Sequence, residues 1–554
     1  MAAAAAAAVQ PASEACAADA AGAALAARLR SGDTSGLPPP PYPPLRGSEP
    51  GSFAHGTITA RLPAILASML ADLEAEGWGG TPGGEQAAAA VAEMVALREA
   101  MLADAALEAL RVDGAGPQTQ VLLESANACV ELATSRQQQQ QQQQQHDGGG
   151  GGSAARATWL GLPWLLVECY MYAAIHAAMQ AGGDRQPALA AHDPFARQKA
   201  AGWVKSAAAA AELAEETELL LNMLASPNLP AGPGLASTGA VGAVVPAAAA
   251  AAACRTALAA GLLMSLWGNK ADLSLLVNAA ALDGAALSSA EERGGGGASA
   301  GGGGGGGGDG VPPLSRVIVD DSEEVLAALA GLMARRAEAA ASGGGGGGGV
   351  RVDIVLDNSG LELFADLCLA DLLLEAGAAD RVALHGKPIP WFVSDTLAAD
   401  LEALLASCEA EAPPQGAQVS ASAWQPVRRL AGRWRAHLAA GRWTWAAHPF
   451  WCTPAPFCWM AAAAPDLYGS LYGSGLVVLK GDLNYRKLTH DCRWPHTTPF
   501  RTALQGFGPA PLVALRTLKA DVAVGLQPGQ SQALDAEDPN WLVNGKWGMV
   551  QAAL

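Results

Sequence analysis

The sequence predicts an α/β protein: an N-terminal all-helical domain followed by a C-terminal Rossmann-like α/β domain with a mainly parallel sheet. Three observations carry this reading. From Ser52 to about Leu287 the apolar residues recur at helical spacing. Beyond residue 310, short β-branched runs alternate with longer helical ones, and ten of the 15 tryptophans lie at or after Trp391. Strands separated by helices imply crossover connections, which make neighbouring strands parallel.

Residues 1–50 are alanine-rich and then proline-rich (Leu37-Pro-Pro-Pro-Pro-Tyr-Pro-Pro), the composition of a disordered, extended arm. Residues 51–293 form the helical domain, with stripes such as Ile65, Leu66, Met69, Leu70, Leu73 and Leu162, Leu165, Leu166, Cys169, Tyr172, Ile175. Gln137–Gln145, Gly148–Gly152 and an alanine run from Ala247 read as expanded loops or helix ends. Residues 294–310 are a glycine-rich linker, and 311–554 the α/β domain, with a polyglycine loop at 343–349. It opens with a strand near Val317 and a helix over Ser322–Ala341. Further strands are expected at Arg351–Leu356, Arg381–Leu384, Pro390–Val393, Gly475–Leu479, Leu512–Leu515 and Val522–Leu526, with helices over Leu361–Ala376 and Leu397–Ser407.

Composition narrows the function. Over 554 residues, 34 Lys and Arg face 52 Asp and Glu, and a net charge of -18 is the wrong sign for a chain that coats phosphate backbones, so no nucleic-acid partner is expected. The nine cysteines are scattered with no Cys-x-x-Cys pair, which points to free thiols in a reducing compartment and a cytoplasmic location. Met1–Ala8 lacks the basic flank of a signal peptide, and Glu14 and Asp19 leave organelle targeting the lesser reading. The uncharged stretch around Leu235–Cys254 is mostly Ala, Gly and Pro, so no membrane partner is expected. The oligomeric state is open.

In an open parallel sheet, ligands bind beyond the carboxyl ends of the strands. Four such junctions carry polar residues. Asp353-Ile-Val-Leu-Asp357-Asn358-Ser-Gly360 ends in an acid and an amide, with Gly360 for a tight turn and Glu362 in the next helix. Pro390-Trp-Phe-Val-Ser-Asp395-Thr ends in a second acid. Lys480-Gly-Asp482-Leu-Asn484-Tyr-Arg486 and Arg516-Thr-Leu-Lys519 bring cations. Two carboxylates and an amide oxygen make hard ligands for a divalent cation, and Lys480, Arg486, Arg516 and Lys519 would neutralise a phosphoryl group beside it. The bland alternative is that Asp357 and Asn358 cap the helix that follows.

These runs closely resemble the DUF89 damage-control phosphatase family, in particular its branch with the Arg-Thr-x-Lys motif, the acidic residue methyltransferase 1-like or sugar phosphate phosphatase proteins. The resemblance extends to Thr57-Ile-Thr-Ala-Arg-Leu-Pro, Pro163-Trp-Leu-Leu-Val-Glu-Cys-Tyr and Ser265-Leu-Trp-Gly-Asn-Lys-Ala-Asp, covering nearly everything from Gly51 onward. It implies a metal-dependent phosphatase of small phosphometabolites, typically fructose 1-phosphate and fructose 6-phosphate, using Mn2+, Ni2+ or Co2+, with Mg2+ also accepted. Asp357, Asn358 and Asp395 match the metal ligands and stand as the catalytic set. Glu362, Asp482, Arg486 and Lys519 match substrate or phosphate contacts, and Asn484, Arg516 and Lys480 complete the substrate-binding candidates. Asn269 and Asp272 would approach from the helical domain, with capping an equal alternative. The chain departs from the family at His490, where glycine is usual, and at Cys492, where arginine is usual.

The first rival function is an S-adenosylmethionine-dependent protein glutamate carboxyl O-methyltransferase, disfavoured because no strand leads into a Gly-x-Gly-x-x-Gly turn. The second is a noncatalytic binding protein, against which all four strand-end motifs stand. His448, Cys452 and Cys458 do not have the spacing of a closed zinc site.

Overall fold

The computed structural model describes residues 28–29, 31, 33–35, 37–78, 85–113, 115–146, 157–181, 187–225, 247–268, 316–341 and 349–554. Asn269, Asp272 and the 294–310 linker lie outside them. Among the described residues, the helices of eight or more residues are α1 Leu62–Ala75, α2 Glu85–Leu102, α3 Pro117–His146, α4 Trp164–Gln180, α5 Ala196–Leu224, α6 Ala247–Trp267, α7 Ser322–Ala341, α8 Leu361–Glu375, α9 Ala398–Glu409, α10 Gln425–Ala439, α11 Pro465–Tyr472, α12 Gly481–Leu488 and α13 Gln530–Glu537. The strands are β1 Val317–Asp320, β2 Arg351–Val355, β3 Arg381–Gly386, β4 Trp443–Ala447, β5 Leu476–Lys480, β6 Leu512–Thr517 and β7 Gly548–Ala553. The polyglutamine run is the C-terminal part of α3, and the alanine run opens α6.

The strands form one sheet in the order β1-β7-β6-β5-β2-β3-β4. Strands β6 to β4 are mutually parallel, and β7 runs antiparallel to β6 while pairing parallel with β1. The chain leaves β2 toward β3 and β4 on one side, then returns to β5 and β6 on the other. The two walks diverge between β2 and β5, which opens a crevice beyond the carboxyl ends of those strands.

Side chains alternate across the sheet, as the two-residue period of a strand requires. Val352, Ile354, Val478 and Val513 join one apolar cluster, and Val355, Val477, Leu479 and Ala514 join the other. Helices α5 and α6 pack with α8 on the first face, whereas residues of α1 to α4 belong to the cluster of the second. The N-terminal half therefore contributes helices to both faces of the sheet. Ala248–Trp267 has the length and apolar composition to cross a membrane, but in this fold Gly261 brings the helix against Leu369 and Leu372 of α8.

Three sequence expectations are corrected. The proline-rich stretch does not hang free: Leu37 and Leu45 are buried, Pro44 bridges to Cys492, and the Trp459 indole donates to the Pro38 carbonyl (2.8 Å). Pro390–Val393 is a turn, with Phe392 (φ 44°) and Val393 (φ 69°) both left-handed, a geometry no strand residue adopts. Val522–Leu526 joins no ladder; its carbonyls at Val522 and Val524 are taken by side chains of Arg516 and Gln551. Strands β4 and β7 were not expected from sequence.

Candidate active site

Strand β2 ends at Val355 because the chain must turn into α8, and Gly360 (φ 74°) makes that turn. No side chain caps α8, so Asp357 and Asn358 do not serve as its caps. They face the crevice instead. Asn358 Nδ2 donates to Asp357 Oδ2 (2.8 Å) and to Glu362 Oε2 (2.8 Å), and its Oδ1 accepts from Ser394 Oγ (2.5 Å). The turn that follows β3 lies antiparallel to this segment. Asn358 bridges to Asp395, Ser359 N donates to the Ser394 carbonyl (2.7 Å), and Thr396 N donates to the Asp357 carbonyl (2.9 Å). Asp357, Asn358, Glu362 and Asp395 are thereby brought together from two strand ends.

From the far side of the crevice, α12 starts directly against Asp357. A Cβ on Gly481 would lie 1.9 Å from Asp357 Oδ2, and Gly481 also has φ 79°. Only glycine fits both demands.

The electrostatics are those of crowded acids. Burial, reinforced by the charges of Glu362 and Asp395, raises Asp357 well above the carboxylate range. Burial also raises Asp395, opposed by Lys387 and Lys199. Lys387, buried and unforeseen from sequence, lies 3.2 Å from Asp395 Oδ2 and donates to the Leu356 carbonyl (3.1 Å). Burial works against its charge, but Asp395 and Asp357 hold its ammonium above the usual lysine value. Asp395 Oδ2 is nevertheless buried without a well-directed hydrogen bond. Two carboxylates, an amide oxygen, an orphaned acceptor and a glycine cradle fit a hard divalent cation.

The cationic candidates divide. Lys519 is partly buried, close enough to lower Asp357, and no described side chain pairs with its ammonium. Lys480 is spent on Asp366 (3.2 Å), Glu362 (3.5 Å) and the Ser265 carbonyl of α6. Arg516 stacks on Tyr485, binds Asp482 Oδ1 (2.7 Å) and donates to the Val522 and Ala520 carbonyls. Arg486 forks onto Asp491 (2.8 and 3.0 Å), reaches Glu168 of α4 (2.6 Å) and lies over Trp164. Asn484 Nδ2 donates to the Lys480 carbonyl (2.8 Å), and Asp482 also accepts from Lys519 N (3.2 Å). Lys480, Arg486, Arg516 and Asn484, expected from sequence to face a substrate, thus also brace the walls of the crevice through bonds to neighbouring residues. Lys387, Lys199, Ser394 and Asp366 escaped that reading; of these, only Ser394 sits inside a strand-end run that it had singled out.

Asp371, Glu375 and His437 are also spaced to hold an ion. Asp371 and Glu375 lie toward the other end of α8 and His437 on α10, and N–H donors already meet Asp371: Arg433 forks onto it (3.1 and 3.0 Å), and His437 and Trp434 donate to it as well. His448 contacts Asp466 (3.2 Å), not Cys452 or Cys458.

A parallel sheet with an acid-rich crevice at its switch point defines a class that the comparisons specify. The profile of the Damage-control phosphatase ARMT1-like domain matches residues 57–534, and the chain belongs to this metal-dependent phosphatase family. It is similar to the Damage-control phosphatase ARMT1 of Danio rerio, 33% identical over 525 residues, which cover 94% of this chain and 98% of that protein. The Rattus norvegicus and Bos taurus proteins of the same name are 47% and 49% identical over 202 and 201 residues. Those alignments cover 36% of this chain and 44% and 43% of theirs.

Proposed function

We propose that this chain hydrolyses small sugar phosphates, fructose 1-phosphate and fructose 6-phosphate among them, using a divalent cation held by Asp357, Asn358 and Asp395. The observation that carries the reading is the convergence of these three oxygen ligands, with Lys519 nearby, beyond the carboxyl ends of β2 and β5. Relatives named damage-control phosphatases support the reaction class. The specific metal, among manganese, nickel, cobalt and magnesium, and the sugar are part of the proposal.

When bound, the ion would polarise a phosphoryl oxygen and acidify a coordinated water. The protein's own residues do the rest. Asn358 is oriented by two acceptors on its nitrogen side and one donor on its oxygen side, so it presents an oxygen ligand at no reorganisation cost. Lys519, whose backbone N–H is pinned by Asp482, supplies positive charge for the phosphoryl oxygens. Asp395 is held on its side chain by Lys387 and on its carbonyl by Lys199, an arrangement suited to a fixed ligand more than to an attacking nucleophile, which favours water in that role.

The test is phosphate release from a panel of sugar phosphates by metal-stripped protein resupplied with each metal separately. Turnover should return with metal and fall about 100-fold or more in Asp357→Ala. Equal turnover in that variant would remove Asp357 from the site.

A further inference from the structure

We infer that Lys199, on α5 of the helical half, is the positioning residue that sets the metal ligand Asp395, so that the metal site depends on a side chain from outside the α/β domain. The inference rests on the ligand set proposed above. The Lys199 side chain is only 5% exposed, and its ammonium meets three acceptors: the Asp395 carbonyl (2.9 Å), Asp400 Oδ2 (2.7 Å) and Asp193 Oδ2 (2.9 Å). An ammonium has three hydrogens, so all are committed.

What it grips is a turn that does not support itself. Phe392 and Val393 both sit at positive φ, costly for an aromatic and more so for a β-branched residue, and such geometry persists only where the surroundings over-determine it. Those surroundings come largely from the helical half. Tyr172 of α4 stacks on Phe392 with centroids 4.8 Å apart. Lys199 then fixes the exit of the turn twice, through the Asp395 carbonyl and through Asp400, whose Oδ2 also accepts the Leu397 N–H (2.8 Å). Lys387 approaches the same residue from within the α/β domain, but it holds the carboxylate, not the backbone. Without Lys199, the Asp395 carbonyl loses its donor, Asp193 and Asp400 lose their shared cation, and the turn is free to relax, carrying the carboxylate away from Asp357 and Asn358.

The test uses the full-length, metal-stripped chain and Mn2+ alone as probe, with free Mn2+ read by electron paramagnetic resonance. Lys199→Met should weaken Mn2+ binding about 10-fold or more, the range seen when the partner of a metal ligand is removed, while circular dichroism shows the fold retained. Asp193→Asn takes away an ion pair of the same lysine but leaves its bond to Asp395, and should bind Mn2+ within about 2-fold of wild type. A purely structural lysine would lower thermal stability in both variants and leave Mn2+ affinity unchanged, and that result overturns the inference; so does an equal loss of affinity in the two. Should Lys199→Met not fold, Lys199→Arg, which keeps the charge but not the tetrahedral donors, carries the same readings. Asp357→Ala run in parallel separates the two ideas. If it binds Mn2+ normally, the ligand set is wrong; if it loses Mn2+ while Lys199→Met keeps it, only the role of Lys199 falls.

Discussion

At the scale of single residues, the protein spends most of its buried cations on structure. Lys487 shows this most plainly. It is buried with no carboxylate partner among the described residues, donating to the Phe450 (2.9 Å) and Trp451 (3.2 Å) carbonyls between two aromatic rings, and burial lowers its pKa to about 8 from 10.5. Between those values the unfolded chain binds the proton and the folded chain does not, so this residue makes stability rise with pH over that window. Urea unfolding at pH 7 and pH 10 should therefore show wild type gaining on Lys487→Met as pH rises; a gap independent of pH would refute it. The same scale shows what was legible in sequence. Asp357, Asn358 and Asp395 announced themselves by lying just beyond apolar runs inside recognisable motifs. The pairing of Arg486 with Glu168 was not legible, because the two lie 318 positions apart and pairing over that distance leaves no local trace.

At the scale of elements, the turn between β3 and α9 and the start of α12 decide the geometry of the crevice. The turn was read as a strand because Trp391, Phe392 and Val393 are strand-forming types, yet propensity yields to the need to bring Ser394 and Asp395 back over Asn358. Strand β4, Trp-Thr-Trp-Ala-Ala, did not stand out from the tryptophan-rich run around it, and β7, Gly-Met-Val-Gln-Ala-Ala, contains few strand formers. The β2 to α8 unit was legible because its apolar run, its glycine and its helical stretch all agree. Gly481→Ala tests the α12 junction. The added methyl meets the Asp357 carboxylate, so activity should drop about 100-fold with the fold intact by circular dichroism. Activity near wild type would mean that Asp357 has freedom to move aside.

At the scale of the whole molecule, buried charges stitch the helical half to the sheet: Arg486 to Glu168, Lys480 to the Ser265 carbonyl, and Lys199 to Asp400. A molecule joined this way should unfold in one transition. Glu168→Gln weakens one stitch and leaves Arg486 its fork on Asp491, so the cost is about 2 kcal/mol, read as a lower urea midpoint with the transition still single; two separated transitions would show the halves to be independent. Sequence suggested two domains because composition changes sharply between them, but composition carries no information about which helices cover which face. The order of the sheet has a consequence for how the chain is made. The strand that comes last in the sequence, β7, is an interior strand, seated between β1 and β6. Until it has left the ribosome, β1 has no neighbour to pair with and the sheet stands open beside β6, an unpaired edge that invites wrong partners. Losing β7 would thus remove a middle plank instead of a loose end.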